Sequence, residues 1–280
     1  MAKRIGVIYH HKIARAKELS EELLRILPSS DASGWSCSSH NDACHKDNLP
    51  TTDFVVSLGG DGTLLRVARL VAPYGKPIVA VNMGSLGFMS ELKPEDTIEG
   101  VQALLRGEGW IDERTMLQAE LFRKEDVKPS FATRHILNDI VISHGGTPRL
   151  IHVKTSVDGA SLTTYRADGI IVSTATGSTA YNLAQGGPIL HPRAREIVLN
   201  SICPHLSLSY ALVLSPTAVI DFELRTDHEA ILSVDGQINM PMQDGDKVKV
   251  SLSPDSTRLL RIHPPSNFYT TLDQRLRRIS

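Results

Sequence analysis

Strand-type and helix-type runs alternate through the first part of this 280-residue chain, and that alternation leaves few folds open. "RIGVIYH" (Arg4 to His10) is short and β-type, and "ARAKELSEELLRIL" (Ala14 to Leu27) carries Leu19, Leu23 and Ile26 at helical spacing with charges between. A polar stretch runs from Ser29 to Thr52. "DFVVSL" then has the continuous apolar character of a strand buried on both faces, and "TLLRVARLVAP" reads as a helix ended at Pro73. "KPIVAVNMG" repeats the strand, and "PEDTIEGVQALLRGE" repeats the helix, with a proline in its first turn. Strands alternating with helices imply a parallel sheet with helices on its faces.

From Trp110 to about His263 the pattern changes. "MLQAELFR", "ILNDIVIS", "LIHVKTSVDG", "GIIVSTA", "YALVLSP", "AVIDFEL", "EAILSVDG" and "DKVKVSLSP" are short, β-rich and separated by Gly, Pro, Asp and Ser. The expected fold is α/β plus β: a Rossmann-like α/β nucleotide-binding domain over 1–110 and a β-rich, sandwich-like domain over 111–263. "HPPSNFY" reads as a stiff linker, after which a helical tail, within 264–280, returns to the first domain.

Thirty Lys and Arg balance thirty-one Asp and Glu, leaving a formal charge of −1. No global field draws such a chain to nucleic acid or to a membrane surface, and no apolar run reaches the ~18 residues of a spanning helix. Cys37, Cys44 and Cys203 form an odd set with no C-x-x-C spacing. That argues against a disulfide framework and for a reducing compartment, with the cytoplasm the simplest address.

The densest signal is "VVSLGGDGTLL", Val55 to Leu65, where a buried strand gives way to a helix. In an open parallel sheet, ligands bind beyond the carboxyl ends of the strands. Glycines there remove the Cβ atoms that would hold a ligand off the main chain, and the helix start offers unpaired N–H groups suited to phosphate. Neither G-x-x-x-x-G-K-[ST] nor G-x-G-x-x-G is present. Two readings fit Asp61: it or Thr63 caps the next helix, or Asp61 serves phosphoryl transfer, where a metal ion or a hydroxyl stands between carboxylate and phosphate.

"RADGIIVSTATGSTAYNLAQGGPILHP" (Arg166 to Pro192) is the other dense stretch. It places Asp168 before a strand, then a Ser/Thr/Gly loop, then a helical turn from Thr179 to Ala184 closed by Gly186, Gly187 and Pro188. By itself it would be a well-capped short helix. Together with "GGDGT", with Asn138-Asp139 and with "DGQ" at Asp235 to Gln237, it closely resembles the NAD kinase family in motif content and order, over essentially the whole chain. Gly-Gly-Asp-Gly is shared with diacylglycerol-type lipid kinases and phosphofructokinases; Thr-Gly-Ser-Thr-Ala-Tyr is the specific part.

The resemblance implies transfer of the ATP γ-phosphate, with a divalent metal such as Mg2+, to the 2′-hydroxyl of the adenosine ribose of NAD. Asp61 matches the catalytic aspartate, with Gly60 and Gly62 in the nucleotide site. Asn138 and Asp139 match the pair that holds the NAD adenosine, where the family more often has Asn-Glu. Asp168 and the run Thr179, Ala180, Tyr181, Asn182, Leu183, Ala184 match the wall of the NAD pocket, with Tyr181 a stacking face. Ala175 stands where the family commonly has proline. Arg66, Arg149 and Arg166 fall where the family contacts the nucleotide, and Gln237 follows a hairpin signal at Asp235-Gly236. The family assembles as dimers or tetramers, so a homodimer or homotetramer is expected.

Cys37, His40, Cys44 and His45 lie within nine residues and raise the question of zinc. Their spacing, with Cys44 and His45 adjacent, suits an ordinary polar loop better than a tetrahedral site. Two other functions share the glycine-rich turn or the pocket. A lipid kinase needs an exposed apolar or basic face, which the sequence lacks; a nucleotide sensor needs the pocket without Asp61.

Overall fold

The computed structural model describes residues 3–84, 87–146, 149–205 and 209–276. It divides into two units, Met1–Glu113 with Thr257–Ser280, and Arg114–Ser256.

The first unit opens β1 (Lys3–Tyr9), α1 (Ala14–Ile26), β2 (Ala32–Ser38), α2 (Asp42–Asn48), β3 (Phe54–Gly59), α3 (Asp61–Val71), β4 (Ile78–Asn82), α4 (Thr97–Leu105). Its strands pair in the order β2-β1-β3-β4, all parallel. Every residue of β3 and β4 is buried, as continuous apolar runs between two helical layers require. Leu19 and Leu23 of α1 join Val7, Phe54 and Val56 in the core.

The second unit contains most of β5 (Trp110–Phe122), then β6 (Phe131–Ile136), β7 (Asp139–His144), β8 (Ile151–Val157), β9 (Ala160–Ala167), β10 (Gly169–Ser173), α5 (Tyr181–Ala184), β11 (Ile197–Ile202), β12 (Leu212–Leu214), β13 (Ile220–Arg225), β14 (Ala230–Val234), β15 (Ile238–Met242) and most of β16 (Lys247–Arg261). One sheet runs β12-β11-β10-β7-β14-β15, and β16-β13-β8-β9 form another, antiparallel throughout. Alternate residues of both, among them Ile140, Ile170 and Leu232 facing Val153, Tyr165 and Phe222, fill a common core.

The last residues of β16 return to the first unit, where Leu259 pairs in parallel with Ile78. Buried Arg261 anchors this return: it donates to Asp112 at 3.2 Å, to Glu91 at 3.1 Å and to the Met89 carbonyl at 2.8 Å. Glu91 also accepts the Ile262 and His263 backbone N–H groups. Helix α6 (Asn267–Leu276) follows.

Four local expectations change. The polar stretch 29–52 contains a strand and a helix: Trp35 and Cys37 point inward from β2, but Ser33, Gly34 and Ser36 around them dilute the apolar alternation. Pro94 lies in a turn before α4 rather than in its first turn, since the helix begins at Thr97. "ILNDIVIS" splits into the end of β6 and the start of β7, broken at Leu137-Asn138. The disulfide expectation is also corrected: Cys37 at the end of β2 and Cys44 on α2 are joined, with Cα atoms 6.5 Å apart. Helix α2 folds back over the strand it follows, which brings the two residues together. Among the described residues, no group of three or more His, Cys, Asp or Glu is arranged to hold a metal ion, and no helix is long and apolar enough to cross a membrane.

Candidate active site

In the first unit, β3 delivers Gly59 to the carboxyl edge of the sheet and α3 begins at Asp61 with Gly60 as its N-cap. Asp61 is therefore the first helical residue, and no side chain caps this helix. Its carboxylate reaches 27 residues along the chain, accepting the Phe88 N–H at 2.9 Å. Gly87 makes room for this contact: a Cβ there would stand 2.2 Å from Asp61 Oδ1. Thr63 is buried against Gly59, where a Cβ would stand 2.3 Å from the threonine hydroxyl.

Gly60 and Gly62 differ from these. Gly60 has an ordinary extended backbone, φ −92°, and a Cβ on either residue would meet nothing within 4 Å. Packing within the chain does not require glycine at these two positions. A close approach from outside explains them, and the start of α3 carries a partial positive charge there. Arg66, one turn beyond Gly62 on the same helix face, donates to the Ser39 carbonyl at 2.5 Å and to Asp42 at 3.2 Å.

In the second unit, Asn138, Asp139, Ala180 and Tyr181 line a cleft of about 480 Å3 with Val141, Ser143, Ile231, Ser233, Asp235, Gly236 and Asn239. Asp235 organises it. This residue and Gly236 take left-handed backbone angles, φ 50° and 64°, in the tight turn between β14 and β15, closed by the Gln237 N–H to the Val234 carbonyl. The buried Asp235 carboxylate then accepts three consecutive N–H groups: Leu137 at 3.1 Å, Asn138 at 2.8 Å and Asp139 at 3.2 Å. The break between β6 and β7 is thus fixed from 96 to 98 residues away.

Asp139 is 6% exposed. Burial, and secondly the negative charge of Asp235, push its carboxyl up to about 7, so it exchanges its proton near neutrality. Asn138 Oδ1 is buried without a hydrogen-bond partner, an acceptor left for a donor group of a ligand. Tyr181 keeps 42% of its surface exposed at the cleft, and burial followed by the charges of Cys203, Asp139 and Asp168 raises its phenol.

The rest of the Thr179–Ala184 run divides by role. Thr179 turns its hydroxyl to the Thr176 carbonyl at 3.2 Å. Asn182 is fully buried, donating to the Ser178 and Pro188 carbonyls and accepting from Asn200, so it holds the turn in shape. Leu183 is half-buried and Ala184 exposed. Asp168 bridges strands through its backbone, donating to the Ile202 carbonyl and accepting from His144.

Three other candidates are not part of the cleft lining, although Gln237 directly follows Gly236, which is. Arg149 lines a second cleft of about 580 Å3 with Asp227, His228, Glu229 and Asp244, and donates to His228 at 2.8 Å. Arg166 is an exposed residue of β9, and Gln237 an exposed residue of the turn. Asp235 and Phe88 are the residues that sequence reasoning passed over. Asp235 was visible as half of a hairpin signal and as part of the "DGQ" motif, with no role of its own, and Phe88, acting through its backbone, left no side-chain signal at all.

Comparison with known proteins agrees over the length of the chain. The family described as the ATP-NAD kinase N-terminal domain matches residues 32–109, and the ATP-NAD kinase C-terminal domain matches 137–262. NAD kinases of Dehalococcoides mccartyi and Chloroflexus aggregans are each 40% identical, over 99% of this chain and 97% and 100% of theirs. The crystal structure of yeast NADH kinase complexed with NADH superposes with a TM-score of 0.85 at 25% identity, over 98% of this chain and 87% of that one. An Archaeoglobus fulgidus NAD kinase in complex with ATP gives 0.75 at 24% identity, over 96% and 97%. With both domains matched and relatives aligned end to end, the chain belongs to the ATP-NAD kinase family, the phosphotransferases that make NADP from NAD and ATP.

Proposed function

We propose that in this NAD kinase the 1–110 region, with its returning tail, supplies the phosphoryl-transfer chemistry through Asp61, and that the 111–263 region binds the NAD adenosine through the Asn138–Asp139–Tyr181 cleft. The observation that carries the first half is the pairing of a positioned carboxylate with two glycines whose Cβ positions face open space. ATP approaches those glycines and the start of α3 with its phosphates. Asp61, with one oxygen held by the Phe88 N–H, orients the 2′-hydroxyl of the adenosine ribose and receives its proton as the new P–O bond forms. Phosphoryl transfer has a loose transition state, so orientation matters more than early proton abstraction.

The second half is supported by the chemistry of the cleft. Ionised Asp139 can accept from a ribose diol, the unpartnered Asn138 oxygen can accept from an amino group, and Tyr181 offers a ring face. Asp168 and Thr179, Asn182, Leu183 and Ala184 support this wall, with Ala180 on the surface of the cleft. Of the remaining candidates, Arg66, Arg166 and Gln237 contribute charge or edge contacts, and Arg149, at another cleft, contributes little.

The donor is the magnesium complex of ATP. Among the described residues no group of three or more His, Cys, Asp or Glu is arranged to hold a metal ion, which suits an ion carried in mainly by the substrate phosphates. Bound there, the ion offsets charge on the phosphoryl group. A cytoplasmic homodimer or homotetramer completes the proposal.

The test is a coupled assay: NAD, ATP and Mg2+ are supplied, and NADP is detected with glucose-6-phosphate dehydrogenase. The wild-type protein is expected to produce NADP, and Asp61→Asn less than about a tenth of the wild-type kcat. NAD binding without NADP formation by the wild type would favour a sensor.

A further inference from the structure

Beyond Asp61, the carboxyl edge of the parallel sheet carries a group of basic side chains of which the proposed chemistry uses only Arg66. His10 follows β1 and is seated against β3, its N–H donating to the Leu58 carbonyl at 2.9 Å. His11 stacks on it with ring centroids 5.1 Å apart, and His40, following β2, meets His11 edge-on at 4.2 Å. Lys12 donates its backbone N–H to His10 Nδ1 at 3.2 Å, which places the proton of the neutral ring on Nε2. The loop that carries His40 is tethered by the Cys37–Cys44 link and by Arg66, whose guanidinium holds the Ser39 carbonyl. Arg66 in turn lies one helical turn from the open face at Gly62.

We propose that His10, His11, Lys12, His40 and Arg66 form a proton-linked receptor for the distal phosphates of the donor. The proposal rests on the reading that donor phosphates approach Gly60 and Gly62. Cations gathered at a sheet edge repel one another until an anion fills the space between them. Burial and the neighbouring positive charges of His11 and Lys12 lower the His10 ring. Burial, Arg66, His11 and His10 lower His40, opposed only by Asp42. His45, whose ring lies near Trp35, is lowered as well, chiefly by burial. A bound polyphosphate reverses the repulsion, so the His10 and His40 imidazoles take up protons on binding and affinity rises as pH falls.

The test uses inorganic tripolyphosphate and isothermal calorimetry on the full chain at pH 6 and pH 8. The wild type is compared with the double variant His11→Gln/His40→Gln, with Lys12→Gln and with Gly62→Leu. Using one probe throughout cancels its own titration. The wild type is expected to lose affinity by about tenfold more than the double variant between the two pH values. Lys12→Gln, a change at an exposed side chain, is expected to weaken binding about threefold at both. Retained NAD affinity, within twofold, certifies the fold of each variant. Equal pH dependence in wild type and double variant overturns the receptor. If Gly62→Leu abolishes binding while the histidine variants keep it, the donor approach stands and the cluster falls. If Gly62→Leu keeps binding, the donor approach itself fails, and the receptor with it.

Discussion

The two halves of this kinase build their sites in different ways. In the first unit the proposed phosphoryl-transfer site is compact in sequence: a strand end, two open glycines, one carboxylate and a helix start lie within Gly59 to Thr63. In the second unit the cleft gathers residues from β7, α5, β14 and β15, held in register by one aspartate in a hairpin turn. A phosphate needs donors and room, which a turn and a helix end supply locally. An adenosine has faces, edges and a diol, and matching them takes side chains from several strands.

That contrast can be broken by changes that should harm one half only. The largest effect is expected from Gly87→Ala. The new Cβ would stand where the Asp61 carboxylate now lies, and a displacement of about 1 Å at a reacting group can cost on the order of 100-fold. The coupled assay should show that loss in kcat while the KM for NAD changes less than twofold; a loss mainly in KM would mean that Gly87 serves the acceptor instead.

The next effect is in pH. Asp139 holds its proton up to about pH 7, whereas gripping a ribose diol requires the ionised form. The cost of removing that proton weighs on NAD binding below 7 and disappears above it. The KM for NAD should therefore fall by up to about tenfold from pH 6 to pH 8, and Asp139→Asn should flatten the profile. The same shift works against stability: the native carboxyl keeps a proton that the unfolded chain releases near pH 4. Its contribution is present below that pH and is lost as pH rises through 7. Urea midpoints at pH 5 and pH 8 would report a wild-type decline that the Asn variant lacks.

The smallest effect is expected at Arg149. Its partner His228 is an exposed neighbour at another cleft, so Arg149→Ala should change the KM for NAD by less than twofold. A tenfold rise would return this arginine to the acceptor site.

Much of the fold was legible because local chemistry wrote it. The runs at 54–59 and 78–82 are buried on both faces and so read as parallel strands, and the change to short β runs marks the second region. Strand β2 was hidden because an edge strand needs few apolar residues, and Trp35 and Cys37 suffice here. The glycine turn could be read, yet local reasoning left Asp61 divided between helix cap and catalyst. The hydrogen bond that settles its orientation comes from a backbone N–H 27 residues away. The Asp235 contacts span nearly 100 residues and depend on strand register, which no short motif encodes.

The central claim is that chemistry and acceptor binding are separable, with Asp61 belonging only to the first. Calorimetric titration of Asp61→Asn with NAD tests it most directly. The account predicts a dissociation constant within twofold of the wild type in a protein that makes almost no NADP; a variant that no longer binds NAD would contradict it.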